Sequence, residues 1–418
     1  MVVLVEIGET VVERFLRYVK CDTQSAENSQ TYPSTEKQKE LGRRLVEELK
    51  EMGLEGASID EYGYVTATLP ANIQRVVPVI GLIAHMDTSP ALSGKNVKPV
   101  IHENYGGEDI VLPGDQTQIL RRSENPELSK KIGDGIITGD GTTLLGADDK
   151  AGVAEIMDAV HYLVNNPKIQ HGTIKIAFTP DEEVGAGVEH FKVKEFGAQY
   201  AYTMDGETLG DVENETFSAD SVKVTFRGIS FHPGYAKGRL VNSIKIASAF
   251  VNKLPKERMS PETTEGMEGY LHPYLIEGGV ETTSVQFIIR DFDDDELKRK
   301  EETLRGLAEE TVRTYPNSDF TFEVKETYRN MKRVLDKNPK AVEKAQDAVR
   351  MTGLQPRLGR IRGGTDGARL CYMGLPTPNL ASGQHNFHSK LEWISIQDMK
   401  KACEVIVNLT KVWAMNQE

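Results

Sequence analysis

"RVVPVIGLIAHMD", Arg75 to Asp87, is apolar almost without a break from Val76 to Ala84. A strand with one wet face alternates apolar and polar residues. A run without alternation suits a strand covered on both faces, as in a parallel sheet. Two later segments read the same way, "GTIKIAFTP" (Gly172–Pro180) and "AQYAYTMD" (Ala198–Asp205). Between the first run and the second, "DKAGVAEIMDAVHYLV" (Asp149–Val164) sets Val153, Ile156, Val160, Leu163 and Val164 on one helical face. Strands alternating with helices predict an α/β layered domain.

Upstream, "VVERFLRYVK" (Val11–Lys20) and "EKQKELGRRLVEELKEMG" (Glu36–Gly53) space apolar residues at helical intervals, and Gly53 supplies a stop. Downstream, the pattern changes near Phe217. "DSVKVTFRG" (Asp220–Gly228) alternates as a half-exposed strand does. A helix follows at "VNSIKIASAFVNKL" (Val241–Leu254), then strands at "YLHPYLIEG" (Tyr270–Gly278) and "TTSVQFIIRDF" (Thr282–Phe292). A charged helix, "DDELKRKEETLRGLAEETVRTY" (Asp294–Tyr315), leads to a last strand, "DFTFEVKETY" (Asp319–Tyr328). The order β-α-β-β-α-β is the split-βαβ, ferredoxin-like arrangement. The expected organisation is a first domain made of residues 1–216 and 329–418, interrupted by an inserted domain at residues 217–328.

The 418 residues are 39% hydrophobic and 27% charged, an ordinary globular balance. A net charge of −13 argues against nucleic acid as a partner, because that partner demands Lys and Arg. Cys21, Cys371 and Cys403 lie far apart with no CxxC pair, so neither a thiolate zinc site nor a disulfide framework is expected. A reducing, cytoplasmic setting is the simpler expectation. The opening "MVVLVEIGET" has no basic segment and only a four-residue apolar run, so it does not read as a signal peptide. No apolar stretch approaches the length of a membrane span.

The buried strands end in potential ligands. His85 and Asp87 close the first, Glu182 and Glu183 follow the second in "FTPDEEVGAG", and Asp205 closes the third. Asp148 and Asp149 follow "TTLLGA" and open a helix; His388 stands in "QHNFHSKLEW". Open α/β sheets bind ligands beyond the carboxyl ends of their strands. Each residue alone has a plainer reading. A strand-end Asp is commonly a turn residue or cap, Asp148 and Asp149 an N-cap pair, and paired glutamates a solvated loop. The recurrence at strand after strand points instead to a metal site. Imidazole and carboxylate ligands without thiolate suit zinc, cobalt or manganese. Asp87, two residues after His85, lies on the same side of the strand, where a carboxylate can accept the other ring N–H.

As a set, "LIAHMDTSP", "LLGADDKAGVAEIM", "FTPDEEVGAG", "TMDGE" and "NFHSKLEW" resemble the metal-binding segments of the co-catalytic zinc exopeptidases, the family of glutamate carboxypeptidase and aminoacylase. "SGKNVKPVIHENYGGEDIVL", "HPGYAKG", "IIRDFD" and "IRGGTDGARL" extend the resemblance in order, so that it covers nearly the whole chain. It implies a catalytic domain with a mixed, largely parallel sheet flanked by helices, and a lid formed by the inserted domain. It implies two zinc ions per chain, His85 and Asp205 on one, Glu183 and His388 on the other, Asp148 bridging them, and a cis bond joining Asp148 to Asp149. Glu182 is then the general base for a water between the metals. One acid of the pair is consumed by coordination and the other is left free.

The resemblance also matches His232, in "FHPG", to a lid histidine that contacts the scissile carbonyl oxygen. In several relatives that histidine reaches the neighbouring subunit's site, which brings in a homodimer. Arg290 corresponds to a residue that grips the peptide carboxylate. In "RGGTDG", backbone N–H groups around Gly364 are placed to receive a carboxylate or carbonyl. Asp366 has two readings of equal weight, a partner for the substrate ammonium or a stabiliser of the turn. Without the resemblance, His232 is a solvated loop residue and Arg290 a surface arginine. Ala91 and Glu207 stand where the family pattern would lead one to expect an acid and a glycine. The implied activity is release of the N-terminal residue from small peptides, tripeptides above all. A dipeptidase or N-acyl amino acid deacylase on the same scaffold is the alternative. A non-catalytic metal-containing binding protein is a third, and Glu182 counts against it, since a binder has no need of a base.

Overall fold

The strand Ile80–His85 lies inside an eight-stranded mixed sheet, parallel to Ile174–Thr179 on one side and to Tyr200–Gly206 on the other. These positions come from a computed structural model that describes residues 6–8 and 10–415; the apolar run at Val2–Val5 lies outside them. Every residue of the Ile80 strand is buried, as its unbroken apolar character requires. The strand begins later than the run of sequence does. Val76 is fully exposed, because ladder pairing starts only at Ile80, opposite Ile174 and Tyr200, and Pro78 has no N–H to donate.

The sheet continues beyond Tyr200–Gly206 through Asn379–Ala381, Asp211–Thr216 and Arg357–Ile361. On the other side, Ile174–Thr179 is followed by Val65–Leu69 and Ser58–Ile59, which run antiparallel. The alternation of elements predicts the α/β layering, and the parallel core with antiparallel margins is the mixed sheet that the resemblance implies.

The helix Ala147–Asn165 packs against the Ile80 and Tyr200 strands, with helices Val11–Tyr18 and Ile396–Ala414 also against it. Its residues from Ala147 to Val160 are all buried. Gly152 permits the close approach: a methyl group there would overlap the carbonyl oxygen of Met204. Among the buried polar residues, Asp158 accepts the N–H of Gly8, the N–H of Thr10 and the Thr10 hydroxyl, and so satisfies the start of helix Val11–Tyr18. A second, four-stranded antiparallel sheet orders Gln384–His385, Trp393–Ser395, Ile136–Thr138 and Val100–His102. The loop 386–392 joins its first two strands.

The contacts divide the chain into two units. The first comprises residues 1–214, 333–359 and 365–418, and the second residues 215–332 with 360–364. Within the second, strands Tyr270–Gly278, Thr282–Asp291, Ser218–Arg227 and Asp319–Tyr328 form an antiparallel sheet in that order. Helices Ser243–Asn252 and Asp294–Arg313 pack on each other and on its central strands. Val222, Val224, Phe226, Ile246, Phe250, Phe287 and Leu304 fill the core between them. Asp293 caps the second helix by accepting the N–H groups of Asp295 and Glu296.

Candidate metal centre

His85 ends its strand with its ring buried. Nδ1 lies 3.1 Å from the backbone carbonyl of Asp87 and 3.4 Å from the Asp87 carboxylate. With that nitrogen turned to acceptors, Nε2 faces the other way, 2.9 Å from Asp148 Oδ1 and 3.7 Å from Asp205 Oδ1. The second carboxylate oxygen of Asp148 lies 3.3 Å from His388 Nε2, and that nitrogen is 2.6 Å from Glu183 Oε2. Ligand atoms of His85, Asp148 and Asp205 thus fall within 4.8 Å of one another, as do those of Asp148, Glu183 and His388. Asp148 is common to both groups, with one oxygen turned to each.

Local structure explains how these side chains converge. His85 and Asp205 sit at the carboxyl ends of adjacent parallel strands. Glu182 and Glu183 follow the neighbouring strand in a single turn of 3₁₀ helix, Glu182–Val184. Asp181 enters that turn with φ +57°, in the left-handed region. It is held there by Gln38, which donates to its carboxylate at 2.7 Å and accepts its N–H at 3.1 Å. Asp87 holds the next two residues: its Oδ1 accepts the Glu182 N–H at 3.0 Å and its Oδ2 the Glu183 N–H at 3.2 Å. Asp149, joined to Asp148 by a cis peptide bond, accepts the N–H of His85 at 3.1 Å rather than capping a helix. His388 takes φ +58° in the loop 386–392.

The electrostatics are crowded. Burial disfavours the charged ring of His388, yet Asp148 and Glu183 outweigh it and hold its pKa up to about 11. Burial and the charge of Asp148 push Glu183 up to about 8 and Asp205 up to about 6. Glu182 is raised well above the carboxylate range by burial, with Asp205, Asp366 and Glu183 adding to the rise.

The remaining residues singled out by sequence are distributed over both units. Asp366, in the first, opens helix Asp366–Tyr372 and accepts the Thr179 hydroxyl at 2.7 Å; Gly187 lies so close that a methyl group would overlap its carboxylate. The other three belong to the second unit. His232 precedes the turn Pro233–Tyr235, exposed, its Nδ1 accepting the Gly234 N–H at 3.2 Å. Arg290 donates to the Tyr270 hydroxyl at 3.0 Å and to the Arg362 carbonyl at 3.3 Å, while its buried Nε has no partner among the described residues. Gly364 lets the chain lie on the Tyr328 ring, which a methyl group would meet at 2.7 Å.

Comparison with known proteins shows the family. The model of peptidase family M20/M25/M40 matches residues 111–411. The chain belongs to the M20/M25/M40 peptidases. Peptidase T of Caldanaerobacter subterraneus subsp. tengcongensis is 53% identical over 403 residues, covering 96% of this chain and 98% of that protein. Among solved structures, an aminopeptidase from Bacillus cereus superposes with a TM-score of 0.74 at 24% identity, over 98% of this chain and 99% of that one. A tripeptidase from Staphylococcus aureus gives 0.75 at 21%, over 99% of this chain and all of its own. These two likenesses speak to the fold.

The M20/M25/M40 assignment raises the question of whether these residues suit metal. The donors are imidazole nitrogens and carboxylate oxygens, the set that zinc, cobalt and manganese accept. Glu183 Oε1 is buried without a hydrogen-bond partner among the described residues, and so is Asp149 Oδ1. Buried carboxylates pressed together are costly unless a cation lies among them. The residues therefore fit two divalent ions. Sequence reading missed several supports. Gln384 donates to Asp205 Oδ1 at 3.0 Å, Asn379 accepts the Asp205 N–H at 3.1 Å, Glu392 accepts the Asp148 N–H, and Asp181 accepts the Ser34 N–H. An acid inside the apolar stretch "LEWISI" was the one available signal for Glu392.

Proposed function

We propose that this protein is a metal-dependent aminopeptidase that releases the N-terminal residue of tripeptides. The observation that carries the reading is the pair of ligand groups sharing Asp148, with Glu182 beside them and not among their members. Identity of 53% to Peptidase T over nearly the full length supports the same activity. Zinc is the metal proposed, with cobalt and manganese as alternatives that the same donors accept.

In this reading His85 and Asp205 would hold one ion and Glu183 and His388 the other, with Asp148 serving both. When bound, such a pair polarises the scissile carbonyl and makes water acidic enough to be deprotonated near neutral pH. Glu182 takes the proton of the attacking water and passes it to the departing amine. Asp87 fixes the Glu182–Glu183 turn through its two N–H acceptances and orients His85. His232 donates to the developing oxyanion, Arg290 receives the peptide carboxylate, and the Gly364 main chain and Asp366 orient the substrate. Three free cysteines are in keeping with a reducing cytoplasm, and a homodimer is proposed with His232 serving either its own or the partner's site.

A panel of free di-, tri- and tetrapeptides, with identification of the products, tests the reading. The N-terminal residue should leave, fastest from tripeptides. Turnover of dipeptides alone or of N-acylated substrates alone would replace it with the dipeptidase or deacylase alternative, and release of a C-terminal residue would overturn it.

A further inference from the structure

Glu392 has no part in the chemistry above, yet it is buried at 1% exposure beside it. Its Oε1 accepts the N–H of Asp148 at 2.9 Å. Its Oε2 accepts the N–H of Leu145 at 2.8 Å and of Gly146 at 2.7 Å. All three donors belong to the segment that opens helix Ala147–Asn165, where Gly146 takes φ +79°. N–H groups at a helix start have no partner within the helix, and a carboxylate facing them gains charge-assisted hydrogen bonds. Glu392 stands at the far end of the loop 386–392, four residues after His388. One loop therefore supplies an imidazole to one ligand group and, from its other end, holds the main chain of the residue common to both groups.

We infer that Glu392 is a positioning residue, one that sets the backbone of Asp148 for metal and ties it to the loop that carries His388. The inference rests on the metal-centre reading. Its specificity lies in the use of both carboxylate oxygens as acceptors from main-chain donors. A carboxamide cannot substitute, because in either flip its NH₂ group meets at least one of these N–H groups. Aspartate keeps both acceptors but is one methylene shorter.

The test compares Glu392→Gln and Glu392→Asp with wild type in the full chain. Zinc affinity is measured by competition with a chelator, melting without metal by calorimetry, and amide exchange at Leu145, Gly146 and Asp148 by mass spectrometry. Glu392→Gln should bind zinc about 10–100-fold more weakly, the usual cost of losing a group that orients a ligand. Its three amides should exchange faster than in metal-free wild type, and Glu392→Asp should fall between. At saturating zinc, KM for a tripeptide should stay near the wild-type value. Wild-type affinity and wild-type protection in Glu392→Gln would overturn the inference. Should that variant fail to fold, metal-free wild type decides: protection at the three amides matching the rest of the helix supports the role, and loop-like exchange until zinc is added refutes it. Wild-type protein that binds no zinc would instead overturn the metal-centre reading, a result distinct from any loss confined to the variants.

Discussion

Glu182 and Glu183 are neighbours with the same side chain and different surroundings. Glu183 Oε2 lies 2.6 Å from His388, inside a ligand group, whereas Glu182 belongs to neither group. Glu182→Gln keeps shape and removes the proton acceptor. It is expected to fold, to keep two metals, and to lose about 10²–10⁴ in kcat. Glu183→Gln removes an anionic donor, so metal content should fall along with activity. Metal analysis beside turnover on a tripeptide separates the two, and a reversed pattern would exchange the roles. For His232, an oxyanion contact predicts a loss of about 10²–10³ in kcat on His232→Ala, with KM little changed. Unchanged kcat would return His232 to the status of a solvated turn residue.

The helix Ala147–Asn165 concentrates the demands that the fold places on one element. Gly152→Ala would drive a methyl group into the Met204 carbonyl, and overpacking of this kind costs about 1–3 kcal/mol. Denaturant unfolding should show that loss, and a variant as stable as wild type would mean that helix and strand separate easily. Glu155 poses a different question. Both of its carboxylate oxygens are buried without partners among the described residues. Burial raises its pKa, and Asp398 and Asp158 add to the rise. An unfolded glutamate titrates near about 4.3, so above that pH the unfolded chain has lost a proton that the folded chain retains. Stability therefore falls as pH rises toward the folded pKa, and the loss disappears below the unfolded one. Glu155→Gln is neutral in both states. It should melt a few degrees above wild type near pH 8, with the gain shrinking toward pH 5. A gain independent of pH would show that packing, not ionisation, is the cause.

At the scale of the molecule, every proposed ligand belongs to the first of the two units, and the ligands come from segments far apart in the chain. Metal bound to the folded state alone stabilises it by mass action, by about 2.7 kcal/mol when free metal is 100 times its Kd. Exhaustive chelation should abolish turnover and lower the melting temperature by a few degrees. Zinc or cobalt should restore both. Calorimetry with and without chelator checks this, and full activity in metal-free protein would end the metal reading.

Much of this was legible in the chain itself. Strand and helix periodicities are local properties, so the buried Ile80, Ile174 and Tyr200 strands and the elements from Ser218 to Tyr328 could be read from spacing. The candidate ligand types could be read because His, Asp and Glu recur at the end of one apolar strand after another, although any one of them alone is commonly a turn residue or cap. The bounds of the Ile80 strand could not be read, since they depend on where its neighbours begin to pair. Nor could the uses of the other acids. Nothing in the stretch around Asp181 tells that it is bound to Gln38, 143 positions earlier. Glu392 stands four residues after His388 with no role that spacing could assign, and it holds the N–H of Asp148 across 244 positions. Sequence determined which residues were available to the site and near which strand ends they would stand. Only the tertiary structure decided which carboxylates face each other and which are spent on main-chain N–H groups, because a hydrogen bond between distant segments leaves no trace in the local pattern of either one.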